Sequence, residues 1–179
     1  MKTVAVLVGS LRKESFNRSL FEAFKKYAPA DLHFQEVSLT MPLYNADVEE
    51  RGIPEEVQRA KEIIDRADGV LIVTPEYNRS LPGVLKNAID WTSRPGGKSS
   101  WKGKRVAGAG ATNGSLGTAP AQQHLRSILV YLDTRVMGQP EFYLSGVKEK
   151  IDTDGTVRDV PTKERVEKFL ASFLAFLEA

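Results

Sequence analysis

Thr3 to Gly9 (TVAVLVG) and Gly69 to Thr74 (GVLIVT) are the stretches that decide the fold. Each is a short β-branched run without polar alternation; glycine ends the first, and Pro75 follows the second. A strand apolar at every position is buried on both faces, as a parallel strand roofed by helices is. Working outward, Leu32 to Leu39, Arg105 to Ala111 and Thr134 to Gly138 read as further strands. Helix patterns lie between them, at about Asn17 to Tyr27, Pro54 to Ala67, Leu81 to Trp91 and Thr118 to Leu132. Val57, Ala60, Ile63, Ile64 and Ala67 recur at helical spacing behind an initiating Pro54. Near the end of the chain, Val166, Phe169, Leu170, Phe173, Leu174 and Leu177 form the strongest amphipathic pattern, with its aromatics in the core.

Strand and helix therefore alternate, with five of each. That economy predicts an α/β fold: a flavodoxin-like, doubly wound, five-stranded parallel sheet with helices on both faces. A length of 179 residues suits one domain spanning 1–179. Two stretches stand outside the alternation. Ser93 to Lys104 (SRPGGKSSWKGK) reads as a Gly/Ser/Lys loop. Gln139 to Asp159 carries Asp154-Gly155 before Val157, a hairpin signal read chiefly as a surface loop, with a sheet-edge excursion or an oligomer contact as the other readings.

Composition removes several function classes. With no cysteine there are no disulfides, thiolate metal sites or cysteine nucleophiles. His33 and His124 stand far apart without a ligand pattern around them, so no metal site is expected and redox chemistry would need an organic cofactor. A net charge of +2 is too small for a nucleic-acid footprint. No apolar run approaches the roughly 18 residues of a membrane span, and Met1-Lys2 leads into a strand rather than an apolar leader, so a cytoplasmic protein is expected.

In a doubly wound sheet, ligands sit beyond the carboxyl ends of the strands, near the point where strand order reverses. After the first strand comes Gly9-Ser10-Leu11-Arg12-Lys13-Glu14-Ser15-Phe16-Asn17-Arg18-Ser19, hydroxyls and cations at the start of a helix. A phosphate monoester fits there, because the free N–H groups and dipole of the helix already favour an anion. Equally, Ser15 or Asn17 caps the helix while Arg12 and Lys13 are solvated. The loop matches neither G-x-G-x-x-G nor G-x-x-x-x-G-K-[ST]. After the third strand, Pro75-Glu76-Tyr77-Asn78-Arg79-Ser80-Leu81-Pro82 is stiffened by a proline at each end. Such a backbone holds its N–H groups against the polar edge of a planar heterocycle, with Tyr77 along the ring. Trp91, further on, reads as core.

With these residues in view, the chain resembles the NADPH-dependent FMN reductase family of flavodoxin-like proteins, and within it the bacterial quinone and chromate reductase branch. The resemblance rests on Gly9-Ser10-Leu11-Arg12 with Ser15 and Asn17, and on Pro75-Glu76-Tyr77-Asn78, Ser80, Pro82-Gly83 and Leu85-Lys86-Asn87-Ala88-Ile89-Asp90-Trp91. It implies noncovalent FMN with Ser10, Arg12, Ser15, Phe16 and Asn17 around its phosphate. Pro75, Glu76, Tyr77 and Asn78 would lie along the isoalloxazine, and Thr112 would come from a third loop, Gly110 to Thr118. Where the family commonly pairs glycines this chain has Gly117-Thr118, and Gly114 and Gly117 are equally explained as turn residues.

The implied reaction moves hydride from NADPH or NADH to N5 of FMN and then to a small-molecule acceptor: a quinone, free flavin, an azo compound or chromate. The cofactor carries the chemistry, so no catalytic side chain is expected. Arg18, Arg79, Arg94 and Lys98 either meet anionic substrates or form a solvated face. A homodimer or homotetramer is the implied assembly. Two other functions suit the same fold: a single-electron carrier, distinguished by failure to oxidise NADPH directly, and a flavin-free binding domain, distinguished by failure to bind flavin.

Overall fold

The computed structural model describes residues 1–179. In chain order it contains β1 (Lys2–Val8), α1 (Phe16–Tyr27), β2 (Leu32–Glu36), α2 (Ala46–Arg51), α3 (Glu55–Arg66), β3 (Gly69–Val73), α4 (Gly83–Thr92), β4 (Arg105–Ala111), α5 (Ala119–Tyr131), β5 (Arg135–Val136), β6 (Phe142–Leu144), α6 (Val147–Lys150) and α7 (Val160–Glu178). The strands run in the order β2-β1-β3-β4-β5, all parallel, with β6 also on β4. This is the flavodoxin-like sheet, with the reversal of strand order at β1 and β3.

Burial on both faces follows from the side-chain period of two along each strand. Val4, Val6, Val8, Leu71 and Val73 face α1 and α7, whereas Ala5, Leu7, Val70 and Ile72 face α3, α4 and α5. Phe24, Phe142 and Phe169 meet in the first core, with ring centroids 5.3 to 5.4 Å apart. α7 brings Val166, Phe169, Leu170, Phe173 and Leu177 to it as the spacing requires, and starts at Asp159, whose carboxylate accepts from the Thr162 N–H at 2.8 Å. Trp91 is buried, its indole N–H donating to the Pro42 carbonyl at 2.8 Å.

Two expectations need correction. The fifth strand position holds two short strands: β5 pairs with Arg105 and Val106, and β6 with Ala109 to Ala111. Pro140, which has no N–H to give to a ladder, lies in the segment that separates them. Gln139 to Asp159 is accordingly no surface loop, since it supplies β6, α6 and a hairpin. There Ile151 bridges Val157, and Gly155 turns the chain at φ +82° against the backbone of α1. Ser93 to Lys104 is a loop, as expected, and it is pinned: Trp101 is fully buried and donates to Thr92 Oγ1 at 2.9 Å, and Lys61 Nζ reaches the Lys98 carbonyl at 2.8 Å.

Candidate active site

The central strands each extend one residue beyond their named ends and deliver three loops to one level. Gly9 N–H donates to the Val73 carbonyl at 2.8 Å, Thr74 N–H to Ala109 at 2.9 Å and Thr112 N–H to Leu144 at 2.9 Å. Beyond these bonds the loops after β1, β3 and β4 stand side by side at the carboxyl end of the sheet.

The first loop is a row of open donors. The backbone N–H groups of Leu11, Lys13, Glu14, Ser15 and Phe16 donate to no atom of the chain. Ser10 Oγ accepts from the Arg12 N–H at 3.3 Å, and Ser15 Oγ caps α1 by accepting from the Asn17 N–H at 3.2 Å. Both hydroxyls keep their own O–H to donate. Arg12 and Lys13 are exposed and form no ion pair. Beside the loop lies a concavity of about 410 Å³, lined among others by Ser10, Arg12, Lys13, Ser38 and Thr40. Helix start, open amides and free cations together make an anion cradle.

Asn17 is placed differently. Its amide nitrogen donates to the Ala111 carbonyl and its amide oxygen accepts from the Ala111 N–H, both at 2.9 Å and both buried. The side chain expected near a phosphate thus spends one N–H and one lone pair on the end of β4, locking α1 to the sheet beneath the loops, and keeps its second N–H.

The second loop is a tight turn. Tyr77 and Ser80 exchange backbone hydrogen bonds at 3.0 Å around Asn78 (φ 50°) and Arg79 (φ 65°), the left-handed pair of a type I′ turn. The N–H groups of Glu76 and Asn78 remain open, and Tyr77 is half-exposed beside them. The Glu76 carboxylate accepts from the Ala121 N–H at 3.3 Å, so it caps α5, while its other oxygen lies 3.4 Å from Arg79 Nη1. Thr74 Oγ1 donates to the Pro75 carbonyl at 2.8 Å, tying down the start of the turn. His124 Nδ1 lies 3.1 Å from Ser80 Oγ at its other end.

Between this turn and the third loop is a smaller concavity, about 220 Å³, lined by Glu76, Arg79, Thr112 and Thr118 among others. Thr112 Oγ1 accepts from the Gly114 N–H at 3.2 Å and keeps its O–H. Gly117 and Thr118 are both left-handed, at φ 58° and 72°. Glycine is required at 117, where a Cβ would lie 2.9 Å from the Tyr143 backbone. It is required at Gly110 too, where a Cβ would fall 2.0 Å from Thr118 Oγ1.

Of the cations expected near the site, only Arg79 borders this smaller concavity. Arg18 is paired with Glu36 at 2.6 Å, and that carboxylate holds its pKa above the ordinary value. Arg94 donates to Tyr44 and Glu49 beside α2. Lys98 belongs to the loop that precedes β4, at the opposite end of the sheet.

A flavodoxin-like sheet with an anion cradle, and beside it a concavity between the second and third loops, is the arrangement of a mononucleotide-binding protein; the residues present fit FMN. Comparison with known proteins narrows the class. The family model for NADPH-dependent FMN reductase matches residues 1–149. A 2-hydroxy-1,4-benzoquinone reductase of a Burkholderia species is 46% identical over 175 residues, 97% of this chain and 95% of that protein. A quinone reductase of Escherichia coli K12 is 44% identical over 179 residues, covering 98% and 95%. Among solved structures, FerB, a flavoenzyme NAD(P)H:(acceptor) oxidoreductase from Paracoccus denitrificans, superposes with a TM-score of 0.94 at 43% identity, covering 99% of this chain and 98% of that one. The chain belongs to the NADPH-dependent FMN reductase family. It is an oxidoreductase with FMN as cofactor and NAD(P)H as reductant. No helix is long and apolar enough to cross a membrane.

Proposed function

We propose that the chain is a quinone reductase: quinone, NAD(P)H and one proton give hydroquinone and NAD(P)⁺. The observation that carries this reading is the alignment, at one end of the sheet, of an open-amide anion cradle with a concavity lined by Glu76 and Thr112, next to the second loop in which the Glu76 and Asn78 N–H groups are open. Bound FMN would supply the capacity to take up a hydride and pass on its electrons.

The side chains do the rest. The Arg12 guanidinium, the Ser10 and Ser15 hydroxyls and the Phe16 N–H would hold the phosphate through charge-assisted and ordinary hydrogen bonds. Asn17 enters as a positioning residue, keeping the start of α1 against β4. Pro75 limits the motion of the second loop, the Glu76 and Asn78 N–H groups would meet the polar edge of the ring, Tyr77 would flank it, and the Thr112 hydroxyl would donate from the opposite loop. No acid–base side chain is needed, since the surrounding residues only orient the reactants and leave one face open to donor and acceptor in turn. Exposed Tyr77 and Leu116 beside the cleft favour completion by a second subunit, as a homodimer or homotetramer. Sedimentation at about micromolar concentration checks this.

Steady-state kinetics with NADPH and a benzoquinone test the function. Parallel double-reciprocal lines, from two half-reactions sharing one face, are expected. Intersecting lines requiring a ternary complex would contradict the shared face, and absence of NADPH oxidation would favour a single-electron carrier.

A further inference from the structure

Arg79 occupies a backbone position that disfavours every side chain. At φ 65° in a type I′ turn glycine is the natural residue, and any Cβ there costs free energy. The turn is nevertheless fixed: Tyr77 and Ser80 exchange bonds across it, Thr74 ties its start and His124 meets its end. Arg79 lines the 220 Å³ concavity that Glu76, Thr112 and Thr118 also line. Its one internal ion pair is loose, 3.4 Å to Glu76, with the Arg79 side chain 69% exposed. The Glu76 carboxylate keeps its own charge while its other oxygen accepts from the Ala121 N–H at the start of α5, so an anionic group entering the concavity competes with Glu76 for the exposed guanidinium.

We propose that Arg79 selects acceptors bearing a negative charge on or next to the reacting ring, hydroxyquinones ionised at neutral pH being the type. This rests on the quinone reductase reading and deepens it. A guanidinium lining so small a concavity meets substituents of the reacting ring itself. The phosphates of a nicotinamide cofactor are set apart from its reacting ring by a ribose. Strain retained at a fixed turn is the pattern of a functional side chain, and here the function is charge.

The test uses FMN-loaded enzyme and three variants, Arg79→Gln, Arg79→Lys and Arg79→Gly, the last removing the charge while easing the backbone. Reoxidation of the NADPH-reduced enzyme is followed with ionised 2-hydroxy-1,4-benzoquinone and with neutral 2-methoxy-1,4-benzoquinone. The ratio of the two second-order constants should fall about tenfold in Arg79→Gln and Arg79→Gly, and less in Arg79→Lys. Independently of turnover, the Kd of benzoate, read from perturbation of the flavin spectrum, should rise by a similar factor while that of benzamide follows the backbone alone. Arg79→Gly should melt no lower than the parent. An unchanged ratio overturns the assignment, as does an equal loss with both quinones, which would make Arg79 a purely structural turn residue. A loss confined to reduction by NADPH and absent with NADH would assign the charge to the 2′-phosphate instead. If the neutral quinone is reduced and only the ratio fails, the reductase reading stands without Arg79; if NADPH reduces no bound flavin, both fall.

Discussion

The first loop and the layer directly beneath it treat polar groups in opposite ways. Above, the amides of Leu11 to Phe16 are mostly open and Arg12 and Lys13 are unpaired. Below, Asn17 makes two reciprocal bonds with Ala111, and under the third loop Gln122 Nε2 donates to Thr118 Oγ1 and the Phe142 carbonyl, each at 3.0 Å, while Gln122 Oε1 is buried without a partner. Neighbouring residues of similar chemistry are thus left open or built into the fold according to depth. An open amide in water costs little, whereas a buried one left unpaired carries its full desolvation cost, as Gln122 Oε1 does.

Substitutions can break that contrast. Asn17→Ala should have the largest effect, leaving both Ala111 backbone groups buried and unpaired, at a cost of about 3 kcal/mol in unfolding free energy by urea denaturation. A loss under about 1 kcal/mol would mean that water replaces the amide. Gly110→Ala, which drives a Cβ into Thr118 and Thr74, should cost about 2 to 3 kcal/mol, seen as a lower Tm. Arg12→Ala should invert the pattern: apoprotein stability within about 0.5 kcal/mol of the parent, but FMN affinity weaker by about 1.5 to 3 kcal/mol in fluorescence titration. Unchanged affinity would take Arg12 out of the cradle.

The smallest effect is expected at the hairpin joining α6 and α7, far from the loops. Hydrogen bonding to Arg158 holds the Asp152 carboxyl below the ordinary carboxylate range, and the backbone N–H and hydroxyl of Thr156 do the same for Asp154. Their contribution is present above the unfolded pKa and fades as pH falls through the lowered folded values. Carboxyl-carbon NMR titration should show both midpoints shifted to lower pH, and ordinary midpoints would mean that the hairpin is open in solution.

The sheet was legible because β1 and β3 are apolar at every position, a pattern that double burial produces and little else does. α7 was legible from its spacing and the hairpin from Asp154-Gly155. α2 escaped because Ala46 to Arg51 buries no residue and so carries no apolar period. β6 escaped because three apolar residues between Pro140 and Gly146 are too few to signal a strand. In the site, the loops and their hydroxyls could be read, but the partner of Asn17 lies at Ala111 and leaves no local trace. The type I′ turn was hidden because Asn78 is followed by arginine rather than glycine.

The most direct test is the visible spectrum of the FMN-loaded protein, recorded anaerobically before and after NADPH and again after a quinone. Bleaching of the bound flavin by NADPH and full return with quinone is the expected result. Flavin that binds but is not reduced by NADPH, or a protein that binds no flavin, would contradict the assignment of these loops to FMN-dependent quinone reduction.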